Sequence, residues 1–595
     1  MSLTKATYSM IDGAPLNVRD YGAVGDGTTD DSAALNAAAT ALQSGQSLYV
    51  PAGVYIVNTA CVLVRGKSNI AIFGDGASSI LRPTNQGPTV TKQDYHTTFA
   101  IDQCDGVTLS DIVIESKGEN YGDTDAYSGL AGGNPRTNAI INYGGSAILV
   151  ARSNEVTLNN VSARYCGSVG VVYLTSSQNV VVEECFANAL SLGYAGFAVD
   201  NWADSSVQTQ RTYKFFNCRV AKETATYSAK AGIAAEGDEI SGRLINLDVV
   251  GCIFEDCAIG GDAPEFGSGV SAIDTRLTMS STVSKNCYIG LTWIKRGGAT
   301  DFSWCRVNGC TFVQNAVTGA YIAIGNATGD ADVSITGTKV FSLNTSVWAS
   351  VGAVTNQAVK VSSGIAVGGY LNGAIKVDGC QIYGGQHGIW AIDNSTLTVT
   401  GSTISAVNGG ITQYGGGSLR AVGNNISVEA TLTTDIPIYM DTANFAASAS
   451  YTSDLYVVGN YLSAGADTAT NYAILLTGNN TLFNNTIVKN NVVLNGQINA
   501  NSAVTYLDLD QPVLNTTQRV IANGLAGSNT YVDIQTPKEF MPVYDYAVGT
   551  DNVSRATLSV TPNQGGTRGL VRVVLSGDVR TNYAAASNVR VTMMV

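Results

Sequence analysis

Histidine is almost missing: His96 and His387 are the two in 595 residues. Charge is scarce too, at 13% of residues, which argues against a helical enzyme whose surface would carry more Lys and Glu. Forty-six acidic residues against 33 basic ones, net −13, argue against a nucleic-acid partner; an acidic polymer could be held only at a local basic patch. No uninterrupted apolar run approaches membrane-spanning length, so no membrane insertion is expected. The opening MSLTKATYSM lacks the apolar core of a secretory signal. With no CxxC pair and no Cys/His cluster, neither a metal nor another cofactor is expected. The 11 cysteines, an odd number, read as buried thiols rather than a disulfide framework, which points to synthesis in a reducing cytoplasm.

What the chain has in quantity is glycine, 65 residues, with Asn, Ser and Thr in the turns and 45% apolar residues. That mix fits a β-rich, turn-dense protein. Seven cysteines sit in a loosely repeated phrase: Cys166, Cys185, Cys218, Cys252, Cys287, Cys310 and Cys380. Each follows a short β-branched run such as NVVVEE or IKVD. A second run opening on glycine comes after a variable gap, at Gly170, Gly196, Gly232, Gly269, Gly290, Gly319, Gly388 and Gly410. A repeat of about 20 to 30 residues built from short strands and turns marks a parallel β-solenoid, in which equivalent residues of successive coils stack. The irregular extra length must be loops, which alone can vary without breaking the stack.

Residues 17–57 read as strand, turn, helix and strand, with Asp30 or Asp31 capping the helix SAALNAAATALQ. An open solenoid end exposes unpaired strand edges, so this segment is expected to cap the first coil. Asp26, Asp30 and Asp31 are read as turn and cap residues. Coils are expected over 58–505, and the repeat fades near LDLDQPVLN. Over 506–595, longer alternating strands such as GLVRVVLSGDVRTN suggest an antiparallel β-domain. The fold class is all-β.

The run VRDYGAVGDGTTDD followed by YVPAGVY resembles the start of pectate-lyase-like right-handed β-helices, especially bacteriophage tailspikes with polysaccharide depolymerase activity. The solenoid is then expected to be a right-handed parallel β-helix with an N-terminal capping helix. Residues 1–16 look like the short leader by which tailspikes dock onto another virion protein. The resemblance also implies a terminal domain that clamps three chains into a homotrimer or binds glycan, and a place in the virion. The superfamily holds lyases, hydrolases, esterases, isomerases and inactive binders, so chemistry must come from the site.

Four residues beyond each glycine the column runs Leu174, Asp200, Glu236, Ile273, Ile294, and one place further Thr175, Asn201, Gly237, Asp274, Lys295. Apolar residues thus give way to Asp200, Glu236 and Asp274, with Asp238 and Glu239 adjacent. Coils stack about 4.8 Å apart, so carboxyls one or two coils apart suit the roughly 5–5.5 Å or 6.5–9.5 Å separations of glycosidase pairs. Asp200, Glu236, Asp274 and Asp238 are the catalytic candidates. Trp202, Tyr227 and Trp293 are candidates for stacking on sugar, and Arg276, Lys295 and Arg296 for holding anionic groups. A site built from the loop residues Asp123, Asp125 or Asp262 stays open, while Glu255 and Asp256 are read as turn residues. His387 and Trp390 are read as surface and core.

The expected activity is endo-hydrolysis of a capsular or O-antigen polysaccharide. A lyase would need a uronic acid and a base, for which Lys295, Arg296 or Tyr227 could serve. An adhesin that grips the glycan without cutting it is the third reading.

Overall fold

The computed structural model describes residues 13–83 except 60, 97–116, 146–164, 170–189, 195–200, 211–222, 231–237, 245–257, 268–295 except 288, 303–315, 318–324, 331–342, 363–369, 374–392, 396–414, 417–429, 436–441, 453–464, 472–477 and 483–500 except 496, with eight short strands between 507 and 594. The chain divides into two compact units, one mainly before and one mainly after residue 316.

In the first unit the strands form three parallel sheets that the chain visits in turn. The first sheet stacks Val62–Arg65, Phe99–Asp102, Ile148–Ala151, Gly170–Thr175, Ala195–Asp200, Ala231–Glu236, Ser268–Ile273 and Ile289–Lys295. The second includes Gln178–Glu183, Arg211–Phe216, Ile245–Val250, Thr275–Ser280 and Ser303–Asn308. The third includes Phe186–Ala189, Arg219–Lys222, Ile253–Glu255, Val283–Lys285 and Thr311–Asn315. The long strands Asp105–Glu115 and Asn154–Arg164 run through the second sheet into the third. The second unit repeats the plan; its first sheet holds Thr318–Ile324, Ser363–Gly369, His387–Ile392, Gly409–Tyr414, Ile436–Asp441, Tyr472–Thr477 and Gln497–Ala500.

Second-sheet strands alternate buried and half-buried residues, as one wet face requires; Ile245–Val250 does so without a break. First-sheet strands are different. Gly170–Thr175, Ala195–Asp200 and Ser268–Ile273 are buried throughout, so both faces of this sheet are covered.

From Gln178–Glu183 onward the second and third sheets meet at a corner of two residues in each described coil. Its first residue takes positive φ, as in Glu184, Asn217, Gly251, Gly379, Gly423 and Asn490. Its second points a buried side chain back at the preceding coil. In the first unit Cys185, Cys218 and Cys252 hold this place, each thiol donating to a carbonyl of the coil before: Leu158 at 3.4 Å, Val182 at 3.2 Å and Phe215 at 3.6 Å. Cys310 and Cys380 occupy the same corner. Cys287 does not: it closes a third-sheet strand, as Cys257 does, so the phrase read from the sequence mixes two corners. Cys166 lies outside the described residues. All ten described cysteines are free and buried. Burial pushes the Cys61 and Cys185 thiols up to about 12.

In the second unit asparagine takes over. The Asn424 side chain donates to the Val399 carbonyl, Asn460 to Ala421 and Asn491 to Val457, each at 2.9 Å. Two of the Oδ1 atoms also accept from the preceding asparagine, Asn460 from Asn424 and Asn491 from Asn460, while the Asn424 Oδ1 accepts from the Ser402 amide.

The repeating glycine has a steric cause. A Cβ on Gly232 would run into the Phe254 ring, and one on Gly388 into Ile404, both third-sheet core residues.

Asp31 stands at the N-cap of helix Ser32–Ala41 without a side-chain bond to it, while the Asp30 Oδ1 accepts from the Ser32 amide at 3.0 Å. Asp31 instead ties the preceding turn by accepting from the Val24 and Gly25 amides. The Asn36 side chain reaches the strand Val62–Arg65, donating to the Cys61 carbonyl and accepting from the Leu63 amide. Near the C-terminus, Leu570–Ser576 pairs antiparallel with both Tyr531–Gln535 and Thr557–Pro562.

Candidate functional site

The first sheet of the first unit places alternate residues on opposite faces. One column holds Val172, Phe197, Ile233, Val270 and Leu291, and another Leu174, Val199, Ala235, Ala272 and Trp293. These line the interior. The outward column between corner and core runs Arg65, Asp102, Ala151, Thr175 and Asp200. Val199 faces Ala235, so the next rung sets Asp200 beside Glu236, which in turn faces Ile273. Thr175, not Leu174, stands opposite Asp200: the glycine frame is one residue out at its first coil.

Asp200 is buried, yet both its oxygens are held. Tyr173 donates its hydroxyl to Oδ2 at 2.7 Å and Thr175 donates to Oδ1 at 2.6 Å. Glu236, one coil on, is partly exposed. Neighbouring parallel strands lie about 4.8 Å apart, which sets the spacing of the two carboxylate-bearing positions.

Asp274 stands one place further along, at the corner between Ser268–Ile273 and Thr275–Ser280, with φ 48°. Gln103, Arg152 and Ser176 occupy the same corner with φ between 48° and 54°. Aspartate is among the few residues that tolerate this left-handed region, so the backbone alone gives it a reason to be there. Lys295 follows Ile294, the rung partner of Ile273, so Asp274 and Lys295 are opposite charges on successive rungs, both buried. Trp293 fills the interior, fully buried, and donates to the Thr275 carbonyl; it offers no face to a sugar. Arg276 lies on the second sheet, its guanidinium 5.4 Å from the Trp304 ring, which Arg306 also covers at 5.1 Å. Asp238, Glu239, Trp202, Tyr227, Arg296, Asp123, Asp125 and Asp262 lie outside the described residues. Glu255, read as a turn residue, instead ends the strand Ile253–Glu255 and pairs with Arg219 at 2.7 Å, while Asp256 sits at a positive-φ corner.

Two features went unread in the sequence. Asp102 is buried between Arg65 and Arg152, at 2.7 Å from each, and Glu115 between Arg82 at 2.5 Å and Arg164 at 3.9 Å. Their coils precede Gly170, where the glycine frame began, so no column pointed to them. Tyr173 was missed because an aromatic inside an apolar run looks like core. Among the described residues no group of three His, Cys, Asp or Glu side chains could hold a metal ion, and no helix is long and apolar enough to cross a membrane.

Residues 16–225 match the family model described as rhamnogalacturonase A/epimerase, pectate lyase-like, and residues 346–510 match that of the right-handed β-helix region. The chain is 30% identical over 112 residues to mannuronan C5-epimerase AlgE1 of Azotobacter vinelandii, covering 18% of this chain and 8% of that protein. It is 24% identical over 199 residues to the pre-neck appendage protein of Bacillus phage B103, covering 31% and 21%. The chain thus spans less than a quarter of the length of these curated relatives. Among solved structures, the N-terminal fragment of bacteriophage Phi29 gene product 12 superposes with TM-score 0.45 at 13% identity, over 81% of this chain and 71% of that one. Other neighbours include a phage tailspike, exopolygalacturonases and a surface adhesin of Streptococcus pneumoniae. The coil topology and both matched family models agree that the chain is a pectate-lyase-like right-handed β-helix.

Proposed function

We propose that the protein is a phage tailspike that binds a bacterial surface polysaccharide on the outer face of its first sheet and hydrolyses internal glycosidic bonds there. The observation that carries this reading is the placement of Asp200 and Glu236 on successive rungs of one outward column. Their spacing of about 4.8 Å suits the roughly 5–5.5 Å of a retaining pair. Asp200, oriented by Tyr173 and Thr175, attacks the anomeric carbon while Glu236 protonates the departing oxygen; Glu236 then takes a proton from the water that releases the glycosyl group. Asp238, Trp202, Tyr227 and Arg296 complete the proposed groove. Asp274 and Lys295 serve the wall as a buried charge pair. Homotrimer formation through residues 506–595 and attachment through residues 1–16 to another tail protein belong to the same proposal.

Hydrolysis is preferred to elimination because Lys295, the one described residue among the three candidate bases, is fully buried, whereas Asp200 and Glu236 share one outward column. An adhesin is the second reading, favoured by the hydrogen bonds that both Asp200 oxygens already accept. Incubation with capsular polysaccharide separates the three. New reducing ends without absorbance near 232 nm mean hydrolysis, a rise in that absorbance means elimination, and tight binding with neither means an adhesin.

A further inference from the structure

The first sheet of the second unit carries a different surface. Its interior columns are Ile365, Ile389, Ile411, Ile438 and Ile474, and Val367, Ala391, Gln413 and Met440. The opposite face sets Trp390, Thr412 and Tyr439 in one column and Tyr414, Asp441 and Thr477 in the next. Trp390, expected in the core, is on the outside and only partly buried. Four rings run across successive coils: His387 to Trp390 at 5.2 Å, Trp390 to Tyr414 at 5.8 Å, and Tyr414 to Tyr439 at 5.5 Å.

We propose that His387, Trp390, Tyr414 and Tyr439, with Asp441, form a second carbohydrate subsite that stacks an uncharged pyranose unit of the polysaccharide. The proposal rests on the reading that the ligand is a polysaccharide, but not on its cleavage. Three observations carry it. Partly exposed aromatic rings offer the flat apolar faces against which the C–H face of a pyranose packs. The Trp390 Nε1 donor is shielded by the surrounding protein and has no hydrogen-bond partner among the described residues, an unmet donor that is a poor arrangement for a purely structural ring. A hydroxyl relay ends on a carboxylate beside the rings: Thr477 donates to the Tyr439 oxygen at 3.3 Å, and Tyr439 donates to Asp441 Oδ2 at 3.0 Å.

The plate is also held in place before any ligand arrives. The His387 Nδ1 lies 2.8 Å from the Thr412 hydroxyl, and Gly409 leaves no room for a Cβ against the imidazole. Rings fixed this way lose little freedom on binding. The carboxylate of Asp441 disfavours a uronate at this position while accepting from neutral hydroxyls.

The test uses the full chain on an array of bacterial oligosaccharides sorted into uncharged and uronate-bearing sets. Wild type is expected to bind uncharged members, with at least tenfold weaker binding for Trp390→Ala and Tyr414→Ala. If Trp390→Ala does not fold, Trp390→Phe keeps a ring, deletes the donor and is expected to weaken binding about threefold to tenfold. Folded variants that bind as wild type does, or wild-type binding confined to uronates, overturn the subsite and leave the depolymerase reading standing. If wild type binds neither set, the polysaccharide reading falls as well.

Discussion

The two units use one coil plan for different ends. On the first sheet's outer face the first unit presents the carboxylates Asp200, held by two hydroxyls, and Glu236, whereas the second presents rings, Trp390, Tyr414 and Tyr439. At the corner between second and third sheets the first unit stacks the thiols of Cys185, Cys218 and Cys252, and the later coils of the second stack the amides of Asn424, Asn460 and Asn491. A thiol is a weak donor with one contact to the coil before it, while an asparagine donates backward and accepts from the adjacent asparagine as well. The plan therefore fixes where side chains stand, and the residue chosen at each rung decides what that height of the coil does.

The sharpest way to break this contrast is Asp200→Asn. Loss of a catalytic carboxylate is expected to lower cleavage by about a hundredfold or more while the array signal persists. Cleavage at the wild-type rate would remove chemistry from the first unit and leave both faces as binding surfaces.

The corners give the next largest effect. Asn460→Ala removes the acceptor used by both Asn424 amides and the donor used by the Ala421 carbonyl, at a cost of about 2–4 kcal/mol. Cys218→Ala in the thiol column is expected to cost about 1 kcal/mol. Denaturant titration of the two variants reads the difference, and equal losses would show that thiols and amides do the same job. Gly388→Ala, which drives a methyl into Ile404, should cost about 1–3 kcal/mol in the same assay.

A smaller effect sharpens the contrast by pH. Burial lowers the His387 imidazole from 6.5 to about 4. The unfolded chain then takes up the proton first, so stability is complete above pH 6.5 and falls as pH drops from there toward 4. His387→Gln should flatten that part of the stability profile, measured by thermal melts across the range. A profile unchanged by the substitution would place the ring in water rather than in the plate.

The coil plan was legible because stacking imposes itself on the sequence: Gly232 and Gly388 have no space for a Cβ, and Cys185, Cys218 and Cys252 share one corner. Registry was legible wherever that glycine was a reliable origin, which put Asp200 and Glu236 on successive rungs. It failed where the strand starts one residue earlier, as at Gly170, and in coils before it, which hid Asp102. Face was the harder quantity. A first-sheet strand is apolar on both sides, so Trp293 and Trp390 look alike in sequence, although one fills the interior and the other lies outside. The Asn424, Asn460 and Asn491 run was equally hidden, since asparagine after a glycine or another asparagine reads as an ordinary turn.

From Gln178 onward the two-residue corner is constant, and it restricts how such a molecule can change. Length differences cannot accumulate between second and third sheets, because one added residue would turn every following side chain to the other face. They collect instead at both ends of the first-sheet strands, where ten residues separate Asp200 from Arg211 and eight separate Lys222 from Ala231. Novel specificities can thus be written by exchanging those joins above an unaltered floor, and a library that varies them while sparing the corners should keep most of its members foldable.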